Sequence, residues 1–124
     1  MENIQPFSKL EDKHWGGEGY YKDTLLGCYY TEGIKDFIET YGAAWLVTEM
    51  MLQKKIRQSK DQVYPAIVVD KDHMVHCFFD CDHTKLGKDK PLFSIEDMLH
   101  KLPEGKLNFE FSPYDQILIL MSEH

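Results

Sequence analysis

Apolar positions along this chain recur with a helical period in the first half and a strand period in the second. Ile34, Phe37, Ile38 and Tyr41 stand at i, i+3, i+4 and i+7, which is one face of a helix, and Thr31 precedes them where a hydroxyl can cap the first turn. Gly42 then either tolerates continuation or bends the helix. The stretch from Ala43 to Ile56 is rich in helix formers and apolar nearly all round in its first turns, as expected of a buried end. Lys54, Lys55, Arg57 and Lys60 follow at its C-terminal side, where cations complement the helix dipole. Upstream, Ser8-Lys9-Leu10-Glu11 has the form of a capping box and predicts a short helix over about residues 9–14, before Gly16, Gly17 and Gly19 break it.

The period changes at residue 63. The β-branched run from Val63 to Val69, the polar turn Asp70-Lys71-Asp72 and the segment from Met74 to about residue 80 predict an antiparallel hairpin, with Pro65 tolerated near a strand start. Ser94-Ile95-Glu96-Asp97 reads as the start of a short helix through about Leu102, ended by Pro103-Glu104-Gly105. A second hairpin follows, with strands near 106–111 and 116–121 around the turn Ser112-Pro113-Tyr114-Asp115. Helices first and antiparallel strands later predict an α+β fold, with N-terminal helices packed on a C-terminal antiparallel sheet of about four strands.

Composition sharpens this picture. A chain of 124 residues with 43% apolar content is sized for one domain spanning 1–124, and no apolar run reaches the ~18 residues of a membrane helix. The N-terminus lacks a basic start and an apolar h-region, so a cytoplasmic setting is expected. Three cysteines, an odd number, predict free thiols or ligands in preference to a disulfide framework. The net charge of −7 disfavours general binding to a phosphate backbone, and no sequence-specific DNA binding is expected. A basic protein partner fits the charge better.

Several segments together carry a resemblance: the paired aromatics Tyr20-Tyr21, the helix start Tyr30-Thr31-Glu32-Gly33, Ala44-Trp45-Leu46, the Cys77 strand and the final apolar strand closing on Ser122-Glu123. On these the chain resembles a family of small bacterial proteins of unknown function often carried on plasmids and phages. The resemblance implies an accessory or anti-defence role of the anti-CRISPR type. It departs from that pattern in Gly16-Gly17-Glu18-Gly19 and in the extra His and Cys residues around Cys77. Within the motif, Thr31 reads as a cap, Gly33 as the point where the first turn approaches another backbone, and Trp45 as a core filler whose N–H seeks a partner.

Candidate chemistry is confined to two stretches. His73 to His83 holds five soft or borderline ligands, and Zn²⁺ takes four such groups at about 2.0–2.3 Å. If the chain reverses at Asp80 to Asp82, Cys77, Cys81 and His83 can converge, with His76 or Cys28 as a fourth ligand. The competing reading is a hairpin strand with Val75, Cys77 and Phe79 facing the core and His76 facing water. The second stretch is aromatic: Trp15, Tyr20, Tyr21, Tyr29 and Tyr30 fall within sixteen residues, in a glycine-bearing segment that reads as a loop, flanked by Glu18, Asp23 and Glu32. Such rings serve as binding anchors, or wrap the N-terminal segment onto the core.

No nucleophile elbow, zinc-protease helix, phosphate loop or dinucleotide fingerprint occurs in the sequence. The expectation is therefore a non-enzymatic binding protein from a mobile element. It would use Trp15, Glu18, Tyr20, Tyr21, Asp23, Tyr29, Tyr30 and Glu32 to dock on a basic protein or ribonucleoprotein such as a CRISPR effector, without a cofactor. The alternative is a zinc-containing protein or small enzyme using His76, Cys77, Cys81 and His83. A homodimer through a free sheet edge is also compatible with the pattern.

Overall fold

The computed structural model describes residues 4–15, 20–23, 28–85 and 90–123, with the backbone alone for 20–23. Helix α1 (Phe7–Lys13) leads to strands β1 (Tyr20–Asp23) and β2 (Cys28–Thr31). Helices α2 (Glu32–Tyr41), α3 (Ala44–Met51) and α4 (Lys54–Arg57) come next. Strands β3 (Ala66–Val69), β4 (Met74–Phe78), β5 (Phe93–Glu96), β6 (Gly105–Ser112) and β7 (Ile117–Leu120) complete the fold, with short 3-10 turns at Cys81–His83 and Met121–Glu123. The strands form one sheet in the order β1-β2-β7-β6-β3-β4-β5.

The α+β class and the four expected strands are present, but the sheet has seven strands and is mixed. Among the described residues its one parallel pair joins β2 to β7, with Tyr29 opposite Ile117 and Tyr30 opposite Leu118, while the other strand pairs are antiparallel. The aromatic segment expected to be a loop contains the β1–β2 hairpin, in which Tyr21 pairs with Tyr30 and Lys22 with Tyr29. The helix expected to open at Ser94 is strand β5, because Ile95 and Phe93 pair with Val75 and Cys77 on the core side. Only a turn follows it: Asp97, buried, accepts the Leu102 N–H at 2.8 Å and receives the His100 N–H on its carbonyl. The short first helix starts at Phe7 after Pro6, so Ser8 lies inside it and no side chain caps it.

Gly42 ends α2 in the left-handed conformation (φ 60°), where a residue without a Cβ is unstrained, so the long helical stretch is broken into separate pieces. Side chains alternate along the strands and divide the sheet into two faces. One face carries Ile67, Val69, Val75, Cys77, Leu107, Phe109, Phe111, Leu118 and Leu120 into a core shared with Phe7, Leu10, Ile34, Phe37, Tyr41, Leu46 and Met50 of the helices. Rings meet edge to face there, with Phe37 and Phe109 centroids 5.6 Å apart and Phe7 and Tyr41 5.5 Å apart. The other face carries Val68, His76, Ser94, Asn108, Glu110, Ile117 and Ile119 by the same alternation. The turn after β4 covers part of it, held by the Cys81 N–H to Tyr64 O and by Lys106 Nζ to Cys81 O, both 2.7 Å.

The helix start at Thr31 is closed from the far end of the chain. Thr31 occupies the cap position, but its hydroxyl donates to Glu123 Oε1 in place of its own helix. Glu123 Oε2 accepts the Gly33 N–H at 3.1 Å, and Oε1 also accepts the Leu120 N–H at 2.9 Å. Glu123 is only 6% exposed. A carboxylate there satisfies an orphan helix amide and complements the positive end of the dipole. Gly33 is needed for this contact: a Cβ on it would lie 2.5 Å from Glu123 Cδ and Oε1.

Candidate functional site

Three polar constructions lie at the surface of this frame. On the outer face of β6 and β7, an open cavity of about 170 Å³ is lined by Gln62, Glu110, Ser112, Asp115, Ile117 and Ile119. Strand alternation puts Glu110 on this face, where it is only 1% exposed, while the turn before β7 brings Asp115 to the rim. The residue opposite Ile117 in β2 is Tyr29, 41% exposed. Carboxylates, isoleucine walls and a phenol ring therefore occupy one stretch of one face.

The second construction lies on the helix side. His14 Nε2 meets Asp36 Oδ2 at 2.7 Å, Lys13 Nζ meets the same oxygen at 3.1 Å, and Thr40 donates to Oδ1 at 2.6 Å. Burial alone would raise the Asp36 pKa, but the bonds from Thr40, His14 and Lys13 outweigh it and hold the group at about 2. Lys13, His14 and Asp36, with Glu32, Lys35 and Glu39, line a depression of about 250 Å³. Its signs are mixed, and its bonds tie α1 to α2. Ser122 adds to this by donating to His14 O at 2.6 Å.

The third construction stands on β4 and β5. Asp70, at the end of β3, accepts the Asp72 and Met74 N–H groups on Oδ1 at 2.9 and 3.0 Å, which sets the hairpin turn and leaves Oδ2 for His76 Nε2 at 3.0 Å. The other ring nitrogen of His76 lies 2.7 Å from Ser94 Oγ. The His76 hydrogen bond, and after it the Met74 amide, lowers the Asp70 pKa. Nearby, the rings of His73 and His100 stack at 3.7 Å and pin the β5–β6 turn to this hairpin.

The residues singled out from sequence separate into groups. Trp15 is 79% exposed just after α1, Glu32 is exposed in the first turn of α2, Tyr29 lies on the outer face, and Tyr30 packs against the core. Tyr20, Tyr21 and Asp23 belong to strand β1, with their side chains outside the described residues, as is Glu18 altogether. The aromatic cluster is thus an edge hairpin with its visible rings on different sides of the sheet.

The metal candidates do not gather. His76 and Cys77 project to opposite faces; Cys77 is fully buried, and burial pushes its thiol up to about 12. Phe79, expected in the core, is 38% exposed because the strand ends at Phe78. Among the described residues, the one group of three metal-capable side chains with converging donor atoms is Asp80, Cys81 and Asp82, an acidic turn without His83. Burial, Asp82 and Asp80 raise the Cys81 pKa, partly offset by Lys106. Glu110, Asp115 and Ser94 carry no site signal in the sequence, where Ser94 reads as a helix start and Asp115 as a turn residue. Glu110 alternates out of phase with Phe109 and Phe111, a signal that places it on the opposite face of the strand without revealing a cavity.

These features define a small mixed α+β domain with a helix-covered core face and a partly open, acidic outer face. Residues 8–124 match the family described as "Family of unknown function (DUF6876)", and the chain belongs to that family. No curated protein and no solved structure matches the chain. Among the described residues, no helix is long and apolar enough to cross a membrane.

Proposed function

We propose that this protein works by binding a basic macromolecule through the outer face of its sheet. The observation that carries the reading is the cavity in which Glu110 and Asp115 stand beside the walls of Ile117 and Ile119, with Tyr29 alongside. A lysine or arginine side chain suits such a site: its aliphatic stem packs on isoleucine, its charge meets carboxylates, and an aromatic face attracts a cation within about 6 Å. The net charge of −7 adds a long-range field that speeds encounter with a cationic surface and disfavours naked nucleic acid. Strand β1, which pairs with β2 beside Tyr29, extends the same surface in this proposal. In a mobile-element setting, the partner would be the Lys/Arg-rich channel of a nucleoprotein nuclease, and the protein an anti-CRISPR type inhibitor.

The test is fluorescence anisotropy with a labelled arginine-rich peptide, at low and at physiological salt. Wild type should bind with strong salt dependence. A Glu110→Gln/Asp115→Asn variant should lose at least about tenfold in affinity, equivalent to ~1.4 kcal/mol. Tyr29→Ala should also weaken binding, with thermal stability little changed. Equal affinity of wild type and the double variant, or tighter binding to free RNA than to the peptide, would overturn the reading.

A further inference from the structure

The Asp70, His76 and Ser94 side chains form a carboxylate–imidazole–hydroxyl chain, and we propose that it makes Ser94 an activated nucleophile for acyl transfer, a chemistry separate from the binding role above. Each link follows from local structure. Asp70 Oδ1 is occupied by two turn amides, so its other oxygen is aimed at His76 Nε2 at 3.0 Å. His76 and Ser94 are cross-strand partners in β4 and β5, and Nδ1 lies 2.7 Å from Ser94 Oγ. The His76 side chain is 13% exposed, so its ring is held against the sheet, whereas Ser94 is exposed and open to a substrate.

The hydrogen-bond roles follow from the carboxylate. Asp70 accepts, so the neutral imidazole carries its proton on Nε2 and presents a bare Nδ1 to the serine hydroxyl. This is the arrangement by which a histidine removes a serine proton while a carboxylate fixes its tautomer. The two ring nitrogens exchange their usual partners, which leaves the proton path intact because either nitrogen can act as the base.

The sheet edge supplies a place for an acyl group. Asp97 N–H donates to His73 O, which sets the alternation so that the peptide groups of residues 93 and 95 face β4 while those of 94 and 96 face away. Among the described residues β5 pairs only with β4, so the Ser94 N–H points to an open edge. A carbonyl oxygen accepting from that N–H brings its carbon beside the hydroxyl of the same residue. An ester on an extended chain fits this edge.

In the step, Ser94 Oγ bonds to the carbonyl carbon as its proton passes to His76 Nδ1. The ester C–O bond then breaks, and the leaving alcohol takes that proton. Water, deprotonated by the same nitrogen, attacks the acyl-serine, giving a free acid and restoring Ser94.

The experiment uses an alkyl fluorophosphonate, whose phosphorus bonds to an activated serine oxygen with release of fluoride and a proton. Peptide mapping should place the adduct on Ser94 of the folded full-length protein. Ser94→Ala should abolish labelling, and His76→Gln should slow it about 100-fold, within the range for general base catalysis. Asp70→Asn tests the positioning residue: its Oδ1 still serves the turn amides, but its NH₂ donates to Nε2 and forces the imidazole proton onto Nδ1. Imidazole ¹⁵N spectra should show that tautomer switch, with labelling slowed and the melting temperature little changed. Labelling no faster than at Ser59 or in heat-unfolded protein, or labelling of Ser94 that survives both His76→Gln and Asp70→Asn, would overturn the proposal.

Discussion

Removal of the Glu123 carboxylate should be strongly destabilising, because it leaves buried backbone donors without an acceptor. Glu123→Ala strips the acceptor from the Gly33 and Leu120 amides and from the Thr31 hydroxyl, all in a buried setting. The hydroxyl can rotate toward another acceptor, but the two backbone amides cannot. Each buried amide left without an acceptor costs about 1–3 kcal/mol, lowered where water enters the hole. The lost charge at the start of α2 adds about 0.5–1 kcal/mol. Together these predict a loss of about 3–4 kcal/mol, a large share of the ~5–15 kcal/mol typical of a domain. Gly33→Ala should destabilise by displacing the same carboxylate, since the new Cβ would stand 2.5 Å from it and 2.8 Å from Leu120 Cδ1. The two changes should therefore be strongly non-additive, the alanine at 33 costing less once Glu123 is gone. Urea unfolding of the four cycle members, followed by circular dichroism, measures this. A Glu123→Ala cost below about 1 kcal/mol, or additive costs in the cycle, would refute the tertiary cap.

Other predictions follow from single groups. Asp36, held at about 2 against an ordinary 3.8, favours folding above the unfolded value, and this contribution disappears as pH falls from about 4 to 2. Asp36→Asn should thus cost ~1 kcal/mol near neutrality, after allowance for solvent screening, and almost nothing at pH about 2 in urea titrations. Cys77, with its thiol pushed up to about 12 by burial, should resist a disulfide reagent in the native protein while Cys81 reacts first. Equal rates for the two would contradict the core placement of Cys77. Gly42→Ala should destabilise by about 1–2 kcal/mol in thermal melts, because φ is 60° there and an L side chain is strained.

The parts of the fold legible from sequence were those with a strong period. The apolar face at Ile34, Phe37 and Tyr41 marked α2, and the alternation of Leu107, Phe109 and Phe111 marked β6. Strand β5 was hidden because Ser94-Ile95-Glu96-Asp97 carries a helix-start pattern, while its identity comes from pairing with Val75 and Cys77 far along the chain. β1 and β2 were hidden for the same reason: Tyr30 and Cys28 acquire their strand character from a parallel neighbour, β7, that no local pattern reveals. The Thr31 cap was placed at the right residue, yet its hydroxyl serves Glu123, 92 positions away. Among candidate site residues, Tyr29 reached the outer face, where Glu110 stands by alternation along β6, but Asp115 joined them only through the β6–β7 turn, where Gln116 adopts φ 54°.

The central claim is that the outer face of β6 and β7 receives a cationic side chain of a partner. Titration of the ¹⁵N-labelled protein with an arginine-rich peptide, read as amide shifts, tests it directly. The account predicts shifts clustered at Tyr29, Glu110, Asp115, Ile117 and Ile119 that are absent with a matched glutamine-substituted peptide. Shifts that avoid those residues, or that persist unchanged in the Glu110→Gln/Asp115→Asn protein, would contradict it.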